Sequence, residues 1–124
     1  MEIITSQKQS RVKVTIMKIT GKVDSSTYQE FSEAIKQSVA RGTHYLLLDL
    51  EACEYMSSAG IRSLNEAYLL FKKSYPIPGE EKITKSPWIK LLNPSAKIAS
   101  VLAISGVDAV FETHTDLLAA VASF

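Results

Sequence analysis

Alternating apolar and polar positions predict the strands of this chain. Over residues 11–20, valine and isoleucine alternate with lysine and threonine, which is the period of a half-buried strand. Residues 45–50 are almost continuously apolar, as in a strand that is covered on both faces. A glycine at position 21 predicts a turn after the 11–20 strand. The predicted strands lie at about 3–7, 11–20, 45–50, 88–92 and 110–111.

A helical period of apolar residues predicts four helices in the remaining segments. The first has a polar outer face, with Asp24, Ser25 and Ser26 as candidate N-caps and Gly42 as a C-cap. The helices are predicted at residues 26–41, from 58 to about 73, from about 95 to 106, and from 114 or 115 to the end. The order of elements predicts one small α/β domain with a mixed four- to five-stranded sheet and four helices.

Two segments are predicted to lack regular structure. Residues 51–57 are interpreted as a connection between a strand and a helix. Residues 74–87 contain three prolines and a glycine, so they predict a surface loop that is longer than the usual connection of about 4–6 residues.

Composition and charge exclude several classes of protein. The 124 residues are 46% hydrophobic and 22% charged with a net charge of +1, which is typical of a globular domain. The balanced charge argues against a nucleic-acid binder or a polybasic membrane-surface protein. Cys53 is the single cysteine, and we find no signal segment and no run of apolar residues that could span a bilayer. We therefore expect a cytoplasmic protein.

Catalytic and metal-binding signatures are missing from the sequence. The five glycines are scattered and form no phosphate-binding loop, and no paired-histidine motif is present. His44 and His114 are interpreted as loop or cap residues, and Cys53 as a small core residue. We expect no enzymatic activity, no cofactor and no metal site.

The segment 55–60 carries the most suggestive local chemistry. Ser57 and Ser58 lie between a buried strand and a helix, where unpaired N–H groups and the helix dipole favour an anion or a phosphoserine. Gly60 in the first helical turn costs about 1 kcal/mol relative to alanine, so another element or chain is expected to approach it closely. The alternative is that the serines are ordinary N-caps.

At these residues the chain resembles the STAS domain family, and most closely the free-standing bacterial anti-sigma factor antagonists. Residues 46–61 are similar to the family pattern of a buried strand, a short turn, an Asp-Ser-Ser-Gly motif and a helix. Residues 21–24 match its Gly-x-hydrophobic-Asp turn. Further matches lie at residues 93–94, 104–106 and 111. The resemblance covers residues 1–124, with the loop at about 74–87 as an insertion.

The resemblance implies a partner-switching regulator of sigma-factor-dependent transcription. Such a protein binds an anti-sigma factor that is also a serine kinase of the histidine-kinase-like ATPase type, and phosphorylation releases it. A PP2C-type phosphatase then restores the serine. The implied phosphoacceptor is Ser58, with Asp24 close by. We expect a monomer or weak dimer whose partner-binding residues are Asp24, Ser57, Ser58, Ala59, Gly60 and Arg62.

The sequence departs from the family pattern at two positions. Ser57 stands where the family has aspartate, so it becomes a competing acceptor, and Ala59 replaces the second serine. Two other functions remain open. One is a scaffold or transport-accessory module that is never phosphorylated. The other is an enzyme or small-ligand binder that uses the serine turn as an anion site.

Overall fold

The computed structural model describes residues 1–78 and 85–124, so residues 79–84 of the predicted loop lie outside the described residues. The strands are β1 (Glu2–Gln9), β2 (Lys13–Val23), β3 (Leu46–Asp49), β4 (Cys53–Met56), β5 (Ile89–Leu92) and β6 (Glu112–His114). The helices are α1 (Tyr28–Ala40), α2 (Ser58–Ser74), α3 (Ala96–Ile104) and α4 (Leu117–Ala122), and a 3₁₀ turn covers Val107–Ala109.

The strands form one mixed sheet in the order β1-β2-β3-β5-β6. β1 and β2 are antiparallel, whereas β2, β3, β5 and β6 are mutually parallel neighbours. The α/β class, the mixed sheet and the four helices are confirmed. The predicted four to five strands are one or two too few, because β4 is a sixth strand that pairs in parallel with the far end of β2.

β4 lies inside the segment that was predicted to be a connection. Cys53 and Met56 are buried and the two residues between them are exposed, so β4 has no alternating pattern. Its only strand partner in the described chain is the end of β2, at residues 21–23. A four-residue strand with one partner leaves too weak a pattern for periodicity to detect.

Gly21 lies within β2, so the turn that was predicted there is wrong. Its φ is +97°, and the β2–β4 register shifts between Gly21 and Lys22. Its N–H donates to the carbonyl of Ala52 at 3.1 Å. The glycine therefore supplies a bulge, which only a residue without a side chain adopts easily. The bulge lets β2 continue and change its partner from β3 to β4.

Three other predicted boundaries shift in the structure. The last strand is Glu112–His114 rather than residues 110–111, which places His114 at the end of a strand. α1 begins after Thr27 rather than at residue 26. α4 is capped by Asp116, whose carboxylate accepts from the N–H of Ala119 at 2.8 Å.

The helices cover the two faces of the sheet unequally. α1, α2 and α3 pack on one face, where Leu46 and Leu48 point into the main core. α4 covers the other face, where Leu47 contacts a smaller core that includes Val121 and Phe124. This confirms that β3 is covered on both sides. The arrangement brings the starts of α1, α2 and α3 to the carboxyl edge of the parallel strands.

Candidate functional site

The ends of β2 and β4 hold the candidate site together. Val23 pairs with Met56 in the β2–β4 ladder, and the chain leaves each strand at the next residue, Asp24 and Ser57. The N–H of Ser57 donates to the carbonyl of Val23 at 2.8 Å. The structure therefore places Asp24 beside the serine turn, although the two lie far apart in the sequence.

The two serines of the turn differ in exposure. Ser58 is the first residue of α2 and its side chain is exposed. Ser57 is the N-cap residue, with extended backbone, but its hydroxyl makes no capping bond. Its Oγ is buried and has no hydrogen-bond partner in the described part of the chain. Only the Ser58 hydroxyl is presented to an approaching protein.

The first turn of α2 is open to an anion. No acidic residue lies in that turn and no side chain caps it. The first N–H groups of a helix lack intrahelical partners, and the helix dipole adds a partial positive charge there. A phosphate on Ser58 would meet these groups directly.

Gly60 allows the first turn of α2 to lie against the ends of β2 and β4. A Cβ at this position would lie 2.7 Å from Met56 Cγ, 2.9 Å from Val23 Cγ1 and 3.2 Å from the Val23 carbonyl oxygen. The close approach expected for Gly60 is therefore made by two strands of the same chain. It fixes where α2 begins and thus where Ser58 lies.

Asp24 is held in a tight turn between β2 and α1. Its carboxylate accepts from the N–H and hydroxyl of Ser26 at 2.9 and 2.7 Å. These hydrogen bonds lower the pKa of Asp24, the hydroxyl of Ser26 having the largest effect. The hydroxyl of Thr27 donates to the carbonyl of Lys22 at 2.8 Å and closes the turn. Asp24 is thus a fixed negative charge at this edge.

Arg62 and Ala59 lie on α2 near Ser58. Arg62 is exposed four residues after Ser58, so the two side chains share a face of the helix. Ala59 is half-buried. All the residues predicted from the sequence are brought to one edge, and their roles in binding stay predictions.

Lys97 is a charged group at this edge that the sequence analysis missed. Its Nζ lies 5.7 Å from the centre of the Tyr55 ring, within the range of a cation–π contact. The contact connects the start of α3 to β4. No sequence pattern relates these two residues, because only the packing of α3 against β4 brings them together.

Other groups with potential chemistry lie outside the serine turn. Burial raises the pKa of the Cys53 thiol, so it is a poor nucleophile. Within residues 1–78 and 85–124, no group of three or more histidine, cysteine, aspartate or glutamate side chains could hold a metal ion. No helix in these ranges is long and apolar enough to cross a membrane.

Comparison with known proteins identifies the family pattern. A sequence model of the STAS domain matches residues 4–74. No curated protein sequence matches the chain. Among solved structures, an anti-sigma factor antagonist from Mycobacterium paratuberculosis is 24% identical with a TM-score of 0.69, and the match covers 97% of this chain and 94% of that one.

Two further structures share the fold at lower identity. The Bacillus cell fate determinant SpoIIAA in its phosphorylated form is 15% identical with a TM-score of 0.61, over 94% of this chain and 96% of that one. The murine anion transporter Slc26a9 is 18% identical with a TM-score of 0.63. That match covers 90% of this chain but only 18% of the transporter.

Proposed function

The chain belongs to the STAS domain family, and from this premise we propose that it is an anti-sigma factor antagonist that works by partner switching. Unmodified, it binds an anti-sigma factor that is also a serine kinase of the histidine-kinase-like ATPase type. Phosphorylation of Ser58 releases it, and a PP2C-type phosphatase removes the phosphate. By this cycle it controls sigma-factor-dependent transcription in the cytoplasm.

The observation that carries this proposal is the contrast between the two serines. A protein kinase must reach the hydroxyl that it phosphorylates, and the Ser58 side chain is exposed at the start of α2. The Ser57 hydroxyl is buried and has no hydrogen-bond partner among the described residues. This contrast favours Ser58 over Ser57 as the acceptor.

Phosphorylation of Ser58 is compatible with the fold. The phosphate adds about −1.5 to −2 charges at the start of a helix, where the dipole and unpaired N–H groups stabilise it. Arg62, one turn further along the same face, can pair with it. The modified chain therefore keeps its structure, and the effect of the phosphate falls on the interface.

The switch arises from the cost of burying the phosphate against a partner. Asp24 follows the end of β2 beside the turn and supplies negative charge there, so a dianion on Ser58 adds to like charge. Burying it without a cationic partner costs several kcal/mol. A loss of about 3–4 kcal/mol weakens a complex about 100- to 1000-fold, which is enough to release the partner.

The experiment measures binding to the kinase that co-purifies with the chain from its native host. We expect Ser58→Ala to bind as tightly as the unmodified protein and Ser58→Asp at least tenfold more weakly. The matched control is Ser10→Asp, which adds the same charge at an exposed position in the β1–β2 turn. It should bind like the unmodified protein. Tight binding by Ser58→Asp would contradict the charge mechanism.

Intact-mass measurement after incubation with that kinase and ATP identifies the acceptor. The unmodified protein and Ser57→Ala should each gain one phosphate, and Ser58→Ala should gain none. A phosphate on Ser58→Ala that disappears in the double variant with Ser57→Ala would assign Ser57 instead.

A second candidate function is an interaction module in transport that is never phosphorylated. The fold shared with part of Slc26a9 supports it. This candidate predicts that protein isolated from the native host carries no phosphate and that no ATPase of the kinase type co-purifies. Partner switching predicts that a fraction of the molecules carries one phosphate.

A further inference from the structure

A cavity lies at the edge of the sheet opposite the serine turn. It has a volume of about 290 Å³ and is bounded by the β1–β2 hairpin and the end of α1. We call it the amino-edge cavity, because it lies at the edge of the sheet where the parallel strand β3 begins. The strand residues that line it are Thr5, Gln7, Lys13 and Thr15, and residues 41–45 close it from the helix side.

A cluster of three hydroxyls forms its inner wall. Ser38 donates to Thr43 Oγ1 at 2.6 Å, and the Oγ1 atoms of Thr43 and Thr15 lie 3.1 Å apart. All three side chains are buried. Three hydroxyl groups carry three protons, but these two bonds use only two of them. One O–H of Thr15 or Thr43 is left to donate to an acceptor in the cavity.

The charge of the lining favours an anion. Lys13 and Arg41 are exposed at the cavity, and the lining contains no carboxylate. Neither cation has an acidic partner within 4 Å among the described residues. Glu30 and Glu33 lie in a neighbouring hollow that shares Arg41, so their charge weakens the attraction without occupying the cavity.

The end of α1 contributes most of its carbonyls to hydrogen bonds within its own last turn. Carbonyls at a helix C-terminus carry partial negative charge. Here the N–H groups of Arg41, Gly42 and Thr43 donate to carbonyls of the last turn at 2.9–3.2 Å. These bonds occupy the carbonyls of residues 37–39, and Lys13 and Arg41 bring two full positive charges to the lining against the partial charge of the helix end.

We propose that the amino-edge cavity binds a small phosphorylated metabolite, with its phosphate between Lys13 and Arg41 and a polar oxygen on the Thr15–Thr43 wall. The volume suits a compact molecule. The His44 ring is covered on one face by Tyr45, at 4.3 Å, and on the other by Tyr75, at 3.9 Å. His44 therefore offers no open face on which a nucleotide base could stack, and this favours a phosphorylated polyol.

This proposal is independent of partner switching. β2 runs from Lys13 at the amino-edge cavity to Val23 beside the serine turn, so the two sites lie at opposite ends of one strand. Occupation of one leaves the other uncovered.

The test is an NMR titration of backbone amides with inorganic phosphate and with glycerol 3-phosphate, at constant ionic strength. Saturable shifts are expected for residues 41–45 and 13–15, with tighter binding of glycerol 3-phosphate. Lys13→Gln and Arg41→Gln should each weaken that binding about fivefold, the loss of one partly solvated charged contact.

The matched control is Lys8→Gln. It removes the same charge from the same hairpin, but the side chain of Lys8 alternates to the opposite face from Gln7. It should change affinity less than twofold. Non-saturating shifts, shifts confined to residues 57–62, or an equal effect of Lys8→Gln would overturn the proposal. Equal affinity for the two probes would indicate an adventitious ion only and would overturn it as well.

Discussion

Replacing Gly60 by alanine tests how α2 is positioned at the serine turn. Alanine is favoured over glycine inside a helix by about 1 kcal/mol, so helix propensity alone predicts a more stable protein. The structure predicts the reverse. The new Cβ would lie 2.7 Å from Met56 Cγ and 2.9 Å from Val23 Cγ1, whereas carbon atoms normally pack at about 3.5–4.0 Å.

The magnitude follows from how little these neighbours can move. Val23 and Met56 are fully buried, and the branched side chain of Val23 has few alternative rotamers. Overpacking of this kind costs about 1–3 kcal/mol. Because both contacts are shorter than van der Waals distance, we expect the upper part of that range. After the gain in propensity, Gly60→Ala should lower the free energy of unfolding by about 1–2 kcal/mol.

The assay is urea unfolding at neutral pH, with free energies taken from linear extrapolation. Asn65→Ala, at an exposed position of α2, is the propensity control and should gain a few tenths of a kcal/mol. In a Val23→Ala background, Gly60→Ala should cost about 1 kcal/mol less, since the Cγ1 contact is gone. A Gly60→Ala protein more stable than the unmodified one, without coupling to Val23→Ala, would refute the reasoning.

Two further predictions concern the polar groups that begin α2, α3 and α1. Ser95→Ala should lower the free energy of unfolding by about 1 kcal/mol, because Ser95 Oγ accepts from the N–H of Ile98. Ser57→Ala should leave the protein as stable or make it more stable, since the Ser57 hydroxyl is buried without a partner among the described residues. Equal losses of stability in urea unfolding would contradict this contrast. Because folding lowers the pKa of Asp24, its ionised carboxylate stabilises the protein at pH values above the ordinary pKa of 3.8. This stabilisation is lost as the pH falls through the lower pKa of the folded protein. Asp24→Asn should therefore narrow the difference in unfolding free energy between pH 7 and pH 3. An unchanged difference would contradict stabilisation by the ionised Asp24 carboxylate.

The long amphipathic helices and the fully apolar strand were predictable because their buried residues form long or continuous patterns in the sequence. α1 repeats its buried positions over about two turns and α2 over about three, and β3 is covered on both faces. The short elements were not. β4 pairs only with the end of β2, and β6 has three residues, so their existence depends on tertiary pairing.

Gly21 shows that a glycine with positive φ can belong either to a turn or to a bulge within a strand. A glycine after an alternating segment predicts a turn, and its φ of +97° is indeed one that turns require. In the structure that φ forms a bulge that continues β2 to Val23. Local sequence predicts the backbone conformation, but the partner strand decides whether the chain turns or continues.

The residues of the serine turn could be named from the sequence, whereas their exposure and their distance from Asp24 could not be predicted. The separation of residues 24 and 58 in the chain gives no distance, and it is the Val23–Met56 pair that brings their segments together. The amino-edge cavity also escaped prediction. Its wall combines Thr15 on β2, Ser38 on α1 and Thr43 after it, and each of these looks like an ordinary surface residue in the sequence.

The uncapped start of α2 connects the departure at position 57 with the proposed switch. A carboxylate before the acceptor would satisfy an N–H of the first turn and would place a negative charge beside the phosphate. Ser57 does neither, because its hydroxyl is turned inward without a partner. Position 57 therefore carries no charge and the first N–H groups of α2 are uncapped, so a phosphate on Ser58 would meet these groups without a competing carboxylate at position 57. We infer that the departure at position 57, which leaves the start of α2 without a side-chain cap, also leaves the helix N–H groups free to stabilise a phosphate on Ser58.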